Sequence, residues 1–251
     1  MDLLYKKNSH YHDKYIKFIE STHTYIVKGD RSYTSVTQFH KKNFNPFEAD
    51  KIIKNMMNSK NWETSKYYGM KPNEIKALWN KNGKEASLAG TKMHYDIECF
   101  YNDVFNNNNS KEFSFFMNFY NEHKYLQPYR TEWMIYDEKL KLAGSIDMLF
   151  KLPDGTFGIY DWKRCKNIEK TKPFLEYSCN PVIEHIPDTN YWHYALQLNT
   201  YKTILERNYD IRVSELYLVC LHPENTNYIK YKLPILTNDI DALFLERSKE
   251  V

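Results

Sequence analysis

The stretch GSIDMLFKLPDGTFGIYDWKR, residues 144–164, decides how the rest of the chain is read. Two apolar runs flank Pro153-Asp154-Gly155, a sequence suited to a tight turn. Each run carries an aspartate, Asp147 and Asp161, and the second carries Lys163 two residues further on. Charges inside a sheet are costly unless something pairs with them. Side chains alternate along a strand, so Phe157, Ile159, Asp161 and Lys163 share one face. A three-residue loop pairs Leu152 with Thr156, and the same register sets Asp147 opposite Asp161. Directly opposed residues have Cβ atoms about 4.5–5.5 Å apart. A bulge or a two-residue turn shifts that pairing by one residue. Two readings follow. One is a salt-bridged, half-exposed hairpin; the other is a pair of carboxylates holding a divalent cation, Mg²⁺ or Mn²⁺ by ligand hardness, with Lys163 beside it.

Around this hairpin the pattern reads as an α/β chain. HTYIVKGDRSYTSVTQF (residues 23–39) suggests a strand, a turn and a helix starting near Ser35. PFEADKIIKNMM (46–57) reads as helical. Ile75, Leu78, Leu88, Met93 and Ile97 recur at helical spacing, which predicts two helices broken near Asn82-Gly83. FSFFMNFYNEHKYL (113–126) gives a further helix. Strands follow in PYRTEWMIYD (128–137) and in the two arms of the hairpin. The segment Asn167–Asp188 is punctuated by proline and reads as irregular. NYWHYALQLNTYKTILERNY (190–209) is a helix, VSELYLVCLHP and NYIKYKLPI are strands, and a last helix starts with Thr237 or Asn238 as its cap.

Composition narrows the classes. The chain has 251 residues, 42% hydrophobic and 16% aromatic, with net charge +3. That suffices for a real core and permits a nucleic-acid partner without requiring one. The lysine, asparagine, isoleucine and tyrosine content matches A/T-rich codons, which suits a virus, a phage or a low-GC microbe. The four cysteines, Cys99, Cys165, Cys179 and Cys220, form no C-x-x-C pair, which argues against zinc, iron–sulfur or disulfide frameworks. No secretory leader or membrane span is legible, so an intracellular, non-secreted protein is expected. The sequon at Asn108 lacks a secretory context. The densest basic run is Lys163, Arg164, Lys166, Lys170 and Lys172, a solvated loop or a substrate contact.

Two helical pairs stand beside the hairpin. His94 and Glu98, in GTKMHYDIE, are i and i+4, and Gly90 would let this helix approach the sheet. Gln197 and Tyr201 have the same spacing. Each pair is unremarkable in isolation, as a packed histidine or the polar edge of an amphipathic helix. In order, however, G-x-x-x-H-x-x-I-E, G-x-I-D, D-x-K and Q-x-x-x-Y resemble the PD-(D/E)XK nuclease superfamily, and within it the RecB-like and Cas4-like exonuclease branch. The resemblance spans about residues 23–235, with 13 residues between Asp147 and Asp161.

That resemblance implies a restriction-endonuclease-like core, a mixed central sheet flanked by helices with an N-terminal hairpin and helical extension. It divides the chain into residues 1–70, packing on the core, and residues 71–251, the nuclease core. His94, Asp147, Asp161, the main-chain carbonyl of Trp162 and, less directly, Glu98 become ligands for one or two Mg²⁺ or Mn²⁺ ions. Lys163 becomes the catalytic lysine, Gln197 and Tyr201 support the site along the substrate strand, and Glu132 stands behind the ligands. Arg164, Lys166 and Trp192 are expected to contact substrate. Trp162, Tyr191 and Trp192 are candidates to stack bases, although core packing is the commoner fate of such residues. The implied activity is metal-dependent hydrolysis of DNA, as an exonuclease acting on single strands or free ends in replication, recombination or repair. Iron–sulfur cysteines and helicase motifs are both missing, so the chain stands alone or works with a separate helicase or replication partner. The alternatives are an RNA endonuclease of the same fold and an inactive nucleic-acid-binding module.

Overall fold

The computed structural model describes residues 2–172 and 176–251. Residues 173–175, in the segment expected to be irregular, lie outside the described residues. A six-stranded mixed sheet forms the centre. β4 (Gln127–Asp137), β5 (Leu142–Lys151) and β6 (Phe157–Lys163) make an antiparallel meander. β7 (Val213–Cys220) lies parallel to β6, and β8 (Ile229–Lys232) runs antiparallel to β7. β3 (Thr34–Ser35) adds a short parallel contact to β5. A separate hairpin, β1 (Ile16–Ile19) with β2 (Thr24–Val27), precedes it. The architecture is the α/β, helix-flanked mixed sheet expected of a restriction-endonuclease-like core, with an N-terminal hairpin and helices.

Helices cover both faces. α2 (Val36–Lys41), α6 (Asn190–Asn208) and α7 (Thr237–Arg247) pack with Ile159, Leu149 and Leu218 in one core. α1 (Leu3–Lys7), α4 (Pro72–Tyr101) and α5 (Lys111–Glu122) enclose Met148, Phe150, Tyr160, Trp162 and Val219 in the other. Successive residues of β6 thus feed opposite cores, as the strand period requires. α3 (Ala49–Met57) packs against the start of α4.

Several sequence expectations are corrected. α4 runs unbroken through Asn82-Gly83. One glycine costs roughly 1 kcal/mol against alanine, and the neighbouring Ala, Leu, Lys and Glu residues are strong helix formers. Proline starts this helix, and the Glu74 carboxylate accepts the Lys71 N–H (2.7 Å). Of its periodic apolar residues, Ile75, Met93 and Ile97 are buried, whereas Leu78 and Leu88 face solvent. A Cβ on Gly90 would meet open space, so this glycine does not serve close approach to the sheet. The cap of α7 is Leu236, not Thr237 or Asn238; its N–H donates to the buried Asn199 side chain (2.8 Å). α2 does start where expected, with the Ser35 hydroxyl accepting the Gln38 N–H (3.2 Å). Among the described residues, no helix is long and apolar enough to cross a membrane.

Candidate metal centre

The hairpin register places the acids. Lys151 pairs with Phe157 and Met148 with Tyr160, and the Leu152 N–H donates to the Thr156 carbonyl (2.8 Å). Continued by one residue, the same register sets Asp147 beside Asp161. There the β5–β6 ladder stops, and residues 161–163 pair with β7 alone. The Trp162 N–H, without a β5 carbonyl to meet, donates to the Asp147 carboxylate (2.9 Å). Asp147 therefore holds the fork open and is itself held by it.

A third acid extends the row. Thr131 pairs with Met148 and Trp133 with Ile146, so Glu132 flanks Asp147 from β4. Glu132 has φ +43°, a left-handed backbone that non-glycine residues seldom adopt. Its carboxylate accepts a hydrogen bond from Ser145 (3.2 Å). Three carboxylates, from β4, β5 and β6, thus lie side by side across the sheet.

From α4, His94 reaches the row with Nδ1 3.5 Å from the Glu132 carboxylate and 3.4 Å from that of Asp147. One ligand atom from each of His94, Glu132 and Asp147 falls within 4.8 Å of the others, the spacing of a shared cation. The sequence had pointed to His94, Asp147 and Asp161 as this set. In the structure the Asp161 carboxylate pairs with Lys163 Nζ (2.5 Å), and the three groups whose ligand atoms could meet at one cation are His94, Glu132 and Asp147. Glu98 lies near Glu132, outside the triad; burial, then the charge of Glu132, raises its pKa.

The electrostatics follow from burial and crowding. Burial opposes the charge on His94, but Asp147 and Glu132 outweigh it and lift its pKa to about 9. Asp147 is raised by burial, against the pull of His94. Burial and Asp147 push Asp161 up to about 6, against Lys163. The ammonium of Lys163 is favoured by Asp161 and Asp147 over the penalty of burial. Burial and mutual charge thus shift four neighbouring groups together, the pattern of a candidate functional site.

α6 completes the surroundings from the opposite face. Lys163 Nζ sits over the Tyr194 ring, 4.5 Å from its centre. The Gln197 amide donates to the Tyr201 hydroxyl (3.1 Å), and the Tyr201 ring lies against Gly144. Tyr194 carried no signal in the sequence; only the helix docking reveals it.

The basic run is less free than its sequence suggests. Arg164 pairs with Glu112 (2.7 Å), Lys166 with Glu224 (2.8 Å) and Lys172 with Asp188 (3.9 Å). Lys170 lies over the Tyr191 ring. Trp162, 1% exposed, packs between Phe116 and Phe119, and Tyr191 is also buried, so neither ring offers a face to a base. Trp192 is half-buried.

No family model matches the sequence, and no curated protein matches it. Among solved structures, the chain is similar to a proposed exonuclease from Eubacterium rectale, at 12% identity and TM-score 0.39, covering 87% of this chain and 78% of that one. It is also similar to the protein SSO0001, at 10% identity and TM-score 0.30, covering 99% and 82%.

Proposed function

We propose that the protein is a divalent-metal-dependent nuclease that hydrolyses DNA, as an exonuclease on single strands or free ends. The observation that supports this is the row Glu132–Asp147–Asp161, met by His94 at one end and Lys163 at the other. Carboxylate and imidazole donors suit Mg²⁺ or Mn²⁺, and three adjacent acids leave negative charge for a cation to offset. His94, Glu132 and Asp147 would hold it, with the cation displacing the proton that His94 otherwise keeps. A bound Mg²⁺ or Mn²⁺ supplies activation of a water and stabilisation of charge on the phosphate.

The remaining residues have distinct tasks. Asp161 fixes the Lys163 ammonium beside the acidic row. Lys163, held in its charged form, stabilises the negative charge that develops on the phosphoryl oxygens. Tyr194 sets its ring against that ammonium. Tyr201 seats α6 on β5 through Gly144, and Gln197, which donates to the Tyr201 hydroxyl, lines the cavity on the α6 side. A place in replication, recombination or repair, inside the cell and beside a helicase or replication partner, fits this substrate class.

The test is cleavage of end-labelled single-stranded, duplex and circular DNA, with matched RNA, in Mg²⁺, Mn²⁺ or EDTA. Cleavage of linear DNA that needs the cation, and is lost in folded Asp147→Asn and Lys163→Ala, is expected. If the folded wild type cleaves nothing, or Asp147→Asn cleaves equally well, the reading fails. Preference for RNA would move it to the endonuclease alternative.

A further inference from the structure

A cavity of about 930 Å³ lies on the α6 side of the sheet, with Tyr194 in its lining. α2, the loop Phe44–Glu48 and α3 form one wall. His193, Tyr194 and Gln197 at the start of α6 form the other. The Tyr194 ring lies beneath Lys163 Nζ, so the cavity and the proposed catalytic lysine share this one residue. Its volume lies at the upper end of the roughly 300–1,000 Å³ typical of small-ligand sites.

The lining is aromatic and charge-balanced. Phe47, 73% exposed, stands at the cavity with its ring 6.0 Å from that of Trp79. Phe44 lies against the His193 ring (4.0 Å). Asp188 is held by His193 (2.8 Å) and Lys172, and Glu48 by Lys51 (3.2 Å). Lys41 has no carboxylate partner among the described residues, and Glu176 is exposed at the opposite side. Paired charges grip a phosphate backbone weakly. An exposed aromatic face instead attracts planar, apolar ligands with π-faces.

We infer that this cavity receives the unpaired bases of a DNA strand next to the bond to be cleaved, with Phe47 as the stacking platform. Bases in a duplex have their faces covered by neighbours, whereas unpaired bases offer them to an aromatic ring. The cavity thereby selects single strands. This rests on the nuclease reading for its substrate class.

The experiment is fluorescence anisotropy of a fluorescein-labelled ten-residue oligothymidylate and of a labelled hairpin duplex, both in EDTA. The proteins are wild type, Phe47→Ala, Phe47→Trp and Phe105→Ala. Phe105 is 92% exposed and does not line the cavity, so it is a control. Phe47→Ala should raise the Kd for the single strand about five-fold or more, the loss expected of one stacked base. Phe47→Trp should restore it, and Phe105→Ala should change nothing. The inference is overturned if Phe47→Ala binds the single strand as wild type does, or if both DNA forms lose affinity equally. Mn²⁺-dependent cleavage of the same oligothymidylate separates the two ideas. Cleavage without a Phe47 effect on binding sinks the cavity alone. Phe47-dependent binding without cleavage sinks the nuclease reading and leaves the cavity as a single-strand site.

Discussion

The Tyr201 ring occupies the space that a side chain on Gly144 would need: a Cβ there would lie 2.6 Å from the ring carbon Cε1. The glycine of G-x-I-D and the tyrosine of Q-x-x-x-Y are therefore one contact, which seats α6 on β5 three residues from Asp147. Tyr201 is itself buried, so it has no room to yield.

Gly144→Ala should destabilise the protein by about 1–3 kcal/mol, the usual cost of overpacking. Urea unfolding of Gly144→Ala, Tyr201→Leu and the double variant checks this. The double should lose less than the sum of the singles, because removing the ring removes the clash. Additivity would show that the two residues do not bear on each other.

The geometry ranks Glu132 ahead of Asp161 as a candidate ligand, because its carboxylate falls within reach of both His94 and Asp147. Each substitution, Glu132→Gln and Asp161→Asn, removes one negative charge from the same row, so their electrostatic losses are alike. Glu132→Gln also removes a donor within reach of His94 and Asp147, whereas the Asp161 carboxylate is engaged by Lys163. Mn²⁺ titration by calorimetry should give an affinity loss of about ten-fold or more for Glu132→Gln, on the scale of disturbed metal sites, and a smaller one for Asp161→Asn. In wild type, saturating Mn²⁺ should raise Tm by mass action.

The Asp161–Lys163 pair is buried, with side chains 4% and 18% exposed. Lys163→Met strands a buried carboxylate, and breaking such a pair typically costs about 3–5 kcal/mol. Asp161→Asn in the Lys163→Met background should recover much of that loss. Denaturation at neutral pH measures both, and it must accompany any activity assay on lysine variants. An unchanged stability in Lys163→Met would mean that the pair is hydrated and weak.

His40 gives a pH signature away from the acids. It is buried, its Nε2 lies 2.7 Å from the Thr200 hydroxyl, and burial pushes its pKa down from 6.5 to about 3. Between these values the unfolded chain binds more protons than the folded one, so stability rises with pH across that window. The contribution is complete above about pH 6.5 and is lost as pH falls towards 3. Urea midpoints at pH 7 and pH 4.5 should differ more for wild type than for His40→Gln. Equal differences would show that His40 is neutral to acid unfolding.

The site was legible to the extent that it depends on short-range rules. Alternation along β6 and the length of the Pro-Asp-Gly loop sufficed to bring Asp147, Asp161 and Lys163 together, because a hairpin register is a local property. Helical spacing put His94 and Glu98, and Gln197 and Tyr201, on common faces. What depends on long-range packing was hidden. The left-handed backbone of Glu132, the seating of Tyr194 under Lys163, and the N-terminal pieces α1 and β1 are fixed by contacts between distant segments. Asn82-Gly83 misled because a turn signal is weak against thirty residues of helix-forming context. In the basic run, sequence shows the charges and conceals their partners Glu112, Glu224 and Asp188.

Helix α4 leaves the body of the protein just before the residue that reaches the acids. Residues 80–88 are exposed on every side, whereas Met93 and Ile97 are buried. His94 thus marks the border between a bare span of helix, tied at its far end to α3 through the buried Ile75, and a span anchored on the sheet. Amide exchange should be fast along residues 80–90 and slow from Met93 onwards, since local opening follows the density of buried contacts. A cation bound at His94 would pin the bare span at its root. Slower exchange spreading outward along α4 on loading would then report occupancy of the centre from a segment that touches none of its ligands.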